Sequence, residues 1–364
     1  MGQHQFTGST TRGLVFRGGT GARLYGLTTA FVVQPTERAN AQECVTFDKT
    51  TDTYLEHVHV DGSAAAGVVF YQCVRPMVVD ATIVNAMADG LNFANCLDGR
   101  ADHITTVDTG DDGVAFGNVA TGPDNTGGLA TNISVTRSKS RGVAVVGQRG
   151  VTIRDVSIDT TVGHGLYCAY EESWNTRTPT DVHFERGRVV GGGAWTAAAG
   201  GGTNCGVRVN ASGTVSVCGI TVDAPGAHGV FLTGSTVTVS DTTVGNTPGS
   251  GFNVQGGTYV VDRVVAESTS GIGLYVSDCQ RIEYGTTTLR NTAITHATRY
   301  AVNVKNTGYV FGDRLWIHDT QQPATGYTVA AAGSQKGSLG VIVDRVDSRD
   351  VVIENSSGLS FSQI

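Results

Sequence analysis

The sequence predicts an all-β chain wound as a single-stranded right-handed parallel β-helix, a solenoid of about twelve stacked rungs. Three observations carry this. A glycine followed by alternating apolar residues recurs along the chain, the recurrences are mostly 22 or 23 residues apart, and the composition combines 50 glycines with only 7% aromatic residues in 364. Many short strands joined by tight turns have that composition, whereas long amphipathic helices do not.

Taken in chain order, the series runs Gly67-Val-Val-Phe, Gly90-Leu-Asn-Phe, Gly113-Val-Ala-Phe, Gly142-Val-Ala-Val, Gly165-Leu-Tyr-Cys, Gly206-Val-Arg-Val, Gly229-Val-Phe-Leu, Gly251-Phe-Asn-Val and Gly273-Leu-Tyr-Val. Between these glycines lies a second strand pattern, as in Arg75-Pro-Met-Val-Val-Asp-Ala-Thr-Ile-Val and Gly150-Val-Thr-Ile-Arg-Asp-Val-Ser-Ile, whose alternate apolar residues face inward. A period of this length is one three-strand coil, and a solenoid lengthens without thickening, so residues 1–364 are read as one domain. Two intervals, of 29 and 41 residues, exceed the period. They place inserted loops at about 118–128, 169–180 and 190–204. The extra residues of both intervals, the loop at 190–204 included, are read as starting after the same strand type and should rise along one edge of the stack. Long loops in a compact repeat are where function concentrates. The open ends of such a coil need cover, so a homotrimer or an end-capping partner is expected, with the chain a part of a larger assembly.

The formal net charge is −7. No basic run interleaves with aromatics, which argues against nucleic acid as a partner. No apolar stretch is long enough for a membrane span, and the Met-Gly-Gln-His start lacks the regions of a signal peptide. An extracellular, virion or cell-surface setting is the expectation. Seven scattered cysteines without a C-x-x-C pair argue against zinc and against a disulfide framework, and read as buried thiols. Cys73 and Cys96, one period apart, would stack inside the coil, and a bond between them stays open. No phosphate loop, hydrolase elbow, His-Glu-x-x-His or calcium nonapeptide is present, so neither cofactor nor metal is expected.

The residue preceding each rung glycine forms a column: Ala66, Asp89, Asp112, Arg141, His164, Cys205, His228. With rungs ~4.8 Å apart, Asp89 and Asp112 are neighbours, and Asp111 lies beside Asp112 in Thr109-Gly-Asp-Asp-Gly113. An Asp-Gly pair is a common turn, which is the structural reading of either site alone. Three carboxylates on one patch raise one another's proton affinity and suit a reaction in which one donates a proton while another activates water, as glycosidic hydrolysis requires. Asn92, Tyr167 and Arg208 should point outward on the same face, with Ala115 and Ala144 as a shallow floor. Arg141 and His164 follow in the column as groove residues, while Tyr170, Glu171, Trp174 and Trp195 sit on the inserted loops, where aromatic faces can stack on sugar rings.

Met87-Ala-Asp89-Gly90-Leu91 followed by Gly110-Asp111-Asp112-Gly113 resembles the Asn-Thr-Asp-Gly and Gly-Asp-Asp motifs of polygalacturonases, glycoside hydrolase family 28, and of the related dextranase and α-1,3-glucanase families. The repeat likeness covers roughly residues 40 to 320, and the fold it implies is pectate-lyase-like. The resemblance implies an inverting glycoside hydrolase with Asp111 as general acid and Asp89 and Asp112 activating water. Polygalacturonases continue with Gly-His-Gly and Arg-Ile-Lys, where this chain has Ser140-Arg141-Gly142 and Tyr167-Cys168-Ala169. Those basic residues hold the galacturonate carboxylate, so a neutral polysaccharide is the expected substrate. A polysaccharide lyase or epimerase, and a glycan-binding module of tail-fibre type, are the rival readings.

Overall fold

The computed structural model describes residues 2–6, 13–194, 204–292, 301–319, 329–333, 336–345, 351–354 and 359–363. They fold into two compact units, residues 1–187 and 188–364. Each is a right-handed parallel β-helix, and no α-helix occurs among the described residues.

In the first unit one parallel sheet stacks seven four-residue strands: Leu14–Arg17, Val45–Asp48, Val68–Tyr71, Leu91–Ala94, Val114–Gly117, Val143–Val146 and Leu166–Ala169. The last five each follow a rung glycine of the sequence series. A glycine is required there by close approach. A Cβ at Gly90 would stand 2.6 Å from both the Gly113 carbonyl oxygen and the Thr106 methyl, and one at Gly113 would stand 2.6 Å from the Gly142 carbonyl.

The longer strands Tyr54–Ser63, Met77–Ala86, Gly99–Val107, Gly128–Ser138 and Val151–Thr161 form the second sheet. Each bends at an inner residue in the left-handed region, His57, Asp80, His103, Asn132 and Asp155, with φ between 51° and 56°, and all but Gly99–Val107 have a second such residue near the end: Gly62, Asn85, Arg137 and Thr160. Asp, Asn and His tolerate that conformation better than branched residues do. Inside the coil, Phe16, Phe47, Phe70, Phe93 and Phe116 form a continuous stack with centroids 4.6, 5.3, 5.1 and 4.8 Å apart. The spacing follows that of the rungs, so the third apolar residue after each turn carries the core from coil to coil.

The second unit repeats the plan. Its short strands are Val207–Asn210, Val230–Thr233, Phe252–Gln255, Leu274–Ser277, Val302–Lys305, Val329–Ala332 and Val351–Glu354. Among the described residues fourteen short strands thus stand against the roughly twelve rungs read from the glycines, because coils such as Ala301-Val-Asn-Val begin without one. All seven cysteines are free thiols, Cys73 and Cys96 included, and six of them are buried. No described helix is long and apolar enough to cross a membrane.

Candidate active site

The site grows out of the turn column in the first unit. Each rung glycine donates its N–H to the carbonyl of the column residue one rung on: Gly67 to Asp89, Gly90 to Asp112 and Gly113 to Arg141, all at 2.9 Å. This register places Asp89, Asp112 and Arg141 one above another. The side chains continue the pattern. Asp89 Oδ1 accepts the Asp112 backbone N–H at 3.1 Å, and Asp112 Oδ1 accepts the Arg141 backbone N–H at 3.0 Å. Asn92 Nδ2 donates to Asp89 Oδ2 at 2.5 Å. The Arg141 guanidinium closes on Asp112, with Nε 2.8 Å from Oδ1 and Nη2 donating to Oδ2 at 2.9 Å.

Asp111 accepts from Arg38 Nη1 at 2.7 Å. One oxygen from each of Asp89, Asp111 and Asp112 falls within 4.8 Å of the others. A cation could be reached from that spacing, but Arg141 occupies both Asp112 oxygens and already supplies the positive charge.

Burial, then the Asp112 and Asp111 carboxylates, push Asp89 up to about 7 against the opposing bond from Asn92. Burial likewise pushes Asp112 up, to about 6, although the Arg141 charge works against it. Both carboxyls are therefore biased towards the protonated form. Burial acts to lower the Arg141 guanidinium, but Asp112 and Glu171 outweigh it and raise its proton affinity, so it stays charged.

The acids open onto a cleft of about 260 Å³ whose lining includes Arg38, Asn92, Ala115, Arg141, Glu171 and Trp174. Its far wall comes from two of the inserted loops, which share an edge: residues 118–127 follow Val114–Gly117, and the segment from Tyr170 follows Leu166–Ala169. They are tied together. Val119 and Thr176 form an antiparallel bridge, Ala120 N–H donates to the Asn175 carbonyl at 2.8 Å, and Arg177 N–H donates to the Asn118 carbonyl at 2.9 Å. Asn95, buried at a left-handed corner, anchors the first loop by donating to Asn118 Oδ1, the Val119 carbonyl and the Pro123 carbonyl at 2.7, 2.9 and 3.0 Å.

The residues singled out in the sequence divide into three groups. Asp89, Asp111, Asp112, Asn92, Arg141, Glu171 and Trp174 line one cleft. Glu171 accepts from Arg141 Nη1 at 3.2 Å, and Trp174 is 68% exposed at the lip. His164 and Tyr167 lie outside the lining. Their rings stack at 5.2 Å, and Tyr167 supports the Arg141 guanidinium at 4.7 Å, which links them to the acids. Tyr170 is half-buried on the loop and also outside the lining.

Arg208 belongs to the second unit, where its guanidinium sits 3.9 Å over the Phe231 ring. Ala144, expected as open floor, is fully buried, and Ala115 beside it is 6% exposed, since each alanine side chain is short between its neighbours on the stack. The loop at 190–204, expected after the same strand type as the other two, instead follows Val182–Val190 of the long-strand sheet, and Trp195 lies outside the described residues. Arg38 had no signal in the repeat, since it comes from an irregular segment 73 residues before its partner.

No family model matches the chain, and no curated protein matches it. Among solved structures it is similar to the tailspike receptor-binding domain of Siphovirus 9NA, with a TM-score of 0.54 and 10% identity over 100% of this chain and 76% of that one. It is also similar to the A-module of a mannuronan C-5 epimerase from Azotobacter vinelandii, with a TM-score of 0.41, 12% identity, 94% of this chain and 89% of that one. A third likeness is to the catalytic unit of an α-1,3-glucanase of glycoside hydrolase family 87 from Streptomyces thermodiastaticus, with a TM-score of 0.37, 15% identity, all of this chain and 63% of that one. The first of these likenesses is one of fold, and the other two are more distant.

Proposed function

We propose that the protein is a glycoside hydrolase acting on a neutral polysaccharide outside a cell or on a virion surface, with the Asp89, Asp111 and Asp112 cluster as its reaction centre. One observation carries this: three carboxylates within 4.8 Å at the head of an open cleft, one of them pushed up to about 7. Such a cluster holds a proton near neutral pH and keeps an ionised partner beside it, which are the two states hydrolysis needs.

The raised affinity of Asp89 supports giving it the proton for the leaving oxygen, although the resemblance gives that part to Asp111. Asp111, held by Arg38 and facing the cleft, is then the carboxylate that activates water. Asp112 is pinned by Arg141 and keeps a charge next to Asp89. Asn92, Glu171 and Trp174 surround the space a sugar ring would fill, and the Trp174 face is available for stacking. The resemblance implies inversion. The 4.8 Å cluster is tighter than the roughly 6.5–9.5 Å usual between the carboxyl groups of inverting enzymes, so the anomer first released tests that part of the resemblance.

The test is incubation with a panel of neutral plant, fungal and bacterial wall polysaccharides, reading new reducing ends. The wild type should release them and the Asp111→Asn variant should not. Equal activity in the two proteins would end the proposal. A second reading, glycan binding without turnover, is favoured by the complete engagement of the Asp112 oxygens with Arg141. Retention of a polysaccharide by the wild type with no new reducing ends would decide for it.

A further inference from the structure

A second cleft, of about 170 Å³, opens on the short-strand sheet of the first unit, at the rungs that precede the acids. It is built on the same plan. Glu43 holds the turn column there, since Gly13 N–H donates to its carbonyl at 3.0 Å as Gly67 N–H does to that of Asp89. Thr46 lies two rungs before Asn92 in register: it pairs with Val69, and Val69 pairs with Asn92. Asp48 and Tyr71 are register partners two residues further along the same strands. Val69 lines one cleft and Asn92 the other, so the two clefts meet on a single face.

The chemistry of the lining selects among ligands. Val15 and Val69 give an apolar floor, and the Tyr71 ring, 40% exposed, adds an aromatic surface to it. The carboxylates of Glu43 and Asp48 and the Thr46 hydroxyl stand against one guanidinium, that of Arg17, whose Nε is 3.6 Å from Asp48 Oδ2. Acceptors therefore outnumber donors. Thr46 Oγ1 and Asp48 Oδ1 are buried and have no hydrogen-bond partner within the protein, a costly condition that a hydrogen bond donated by a ligand relieves. Two carboxylates against one cation leave the lining net negative, so a uronate, sulfate or phosphate group is repelled. Hydroxyl groups can donate to the oxygens while the C–H face of a ring lies on Tyr71. A neutral sugar has both properties.

We propose that this cleft is a second, non-catalytic sugar-binding site, which holds a neutral polysaccharide two rungs, about 10 Å, from the acids and lays the chain along the face toward them. Its part in turnover rests on the hydrolase reading, whereas the binding itself does not.

The experiment uses the full chain carrying Asp111→Asn, so that polymers stay whole, and measures its affinity for columns of immobilised polymer at physiological salt, where long-range repulsion is screened. The columns carry the neutral polysaccharides of the panel and, as acidic probes, polygalacturonate and alginate. At least one neutral polymer should retain the protein, and neither acidic one should. Adding Tyr71→Ala should weaken that retention about tenfold, while Tyr71→Phe, which keeps the ring, should preserve it. Thr46→Val takes the shape of its register partners Val15 and Val69 and should fold, yet it removes the hydroxyl and should weaken retention roughly fivefold. Unchanged retention by folded Tyr71→Ala or Thr46→Val protein, equal retention by acidic and neutral polymers, or no retention at all would overturn the proposal. Retention that depends on Tyr71 and Thr46, with no new reducing ends from the wild type, would instead sink the hydrolase reading and leave this site standing.

Discussion

Replacing Asp89 with Asn should stabilise the protein at high pH and leave it unchanged at low pH. Folded Asp89 takes a proton below about 7, whereas an unfolded Asp does so below its ordinary 3.8. Between those two values the folded state binds more protons than the unfolded state, so its stability falls as pH rises through the interval. A difference of about three pH units at ~1.4 kcal/mol each costs roughly 4 kcal/mol once Asp89 is ionised.

Asn at this position still accepts the Asp112 backbone N–H but gives up the charge-assisted bond from Asn92, which returns about 1 kcal/mol. The net gain is then about 3 kcal/mol at pH 8. At ~2.1 cal/mol/K per residue over 364 residues this is a rise of about 4 °C in Tm. Thermal melts of both proteins at pH 4 and pH 8 measure it. A variant less stable than the wild type at pH 8, or a difference that does not change with pH, would refute the claim that the acids are crowded and desolvated.

Two other substitutions probe the scaffold beneath the site. Gly90→Ala drives a methyl into the Gly113 carbonyl and the Thr106 side chain and should cost about 3 kcal/mol in a denaturant midpoint, whereas a neutral result would mean the rungs are not in this register. Arg141→Ala leaves Asp112, 3% exposed, without its counter-charge and should cost about 3–5 kcal/mol at pH 8. Because Asp112 protonates near pH 6, the same variant should lose much less at pH 5, and a deficit larger in acid than in base would contradict the assignment.

What the sequence disclosed was whatever repeats. From Gly67 onward every rung glycine of the first unit precedes a short strand, and the column it defines brings Asp89, Asp112 and Arg141 together, because backbone registration from one coil to the next is a strictly local rule. The left-handed corners were hidden, since Asp, Asn, His and Arg share that task and no one residue type marks it. The contacts made by irregular segments were hidden for a different reason. Arg38 reaches Asp111 across 73 residues, and Arg177 reaches Asn118 across 59, with no period connecting either pair. Ala144 shows a further limit: alternation places it outward, yet it is fully buried in the folded chain.

The central claim is that water, activated among the acids, attacks a glycosidic carbon. Running the reaction on a neutral polysaccharide in water enriched in oxygen-18 and weighing the products by mass spectrometry tests it most directly. The account predicts one heavy oxygen per bond cut, carried at the new reducing end, and none from the Asp111→Asn protein. Products whose new reducing ends carry no heavy oxygen would contradict it, since water would then not be what attacked the bond.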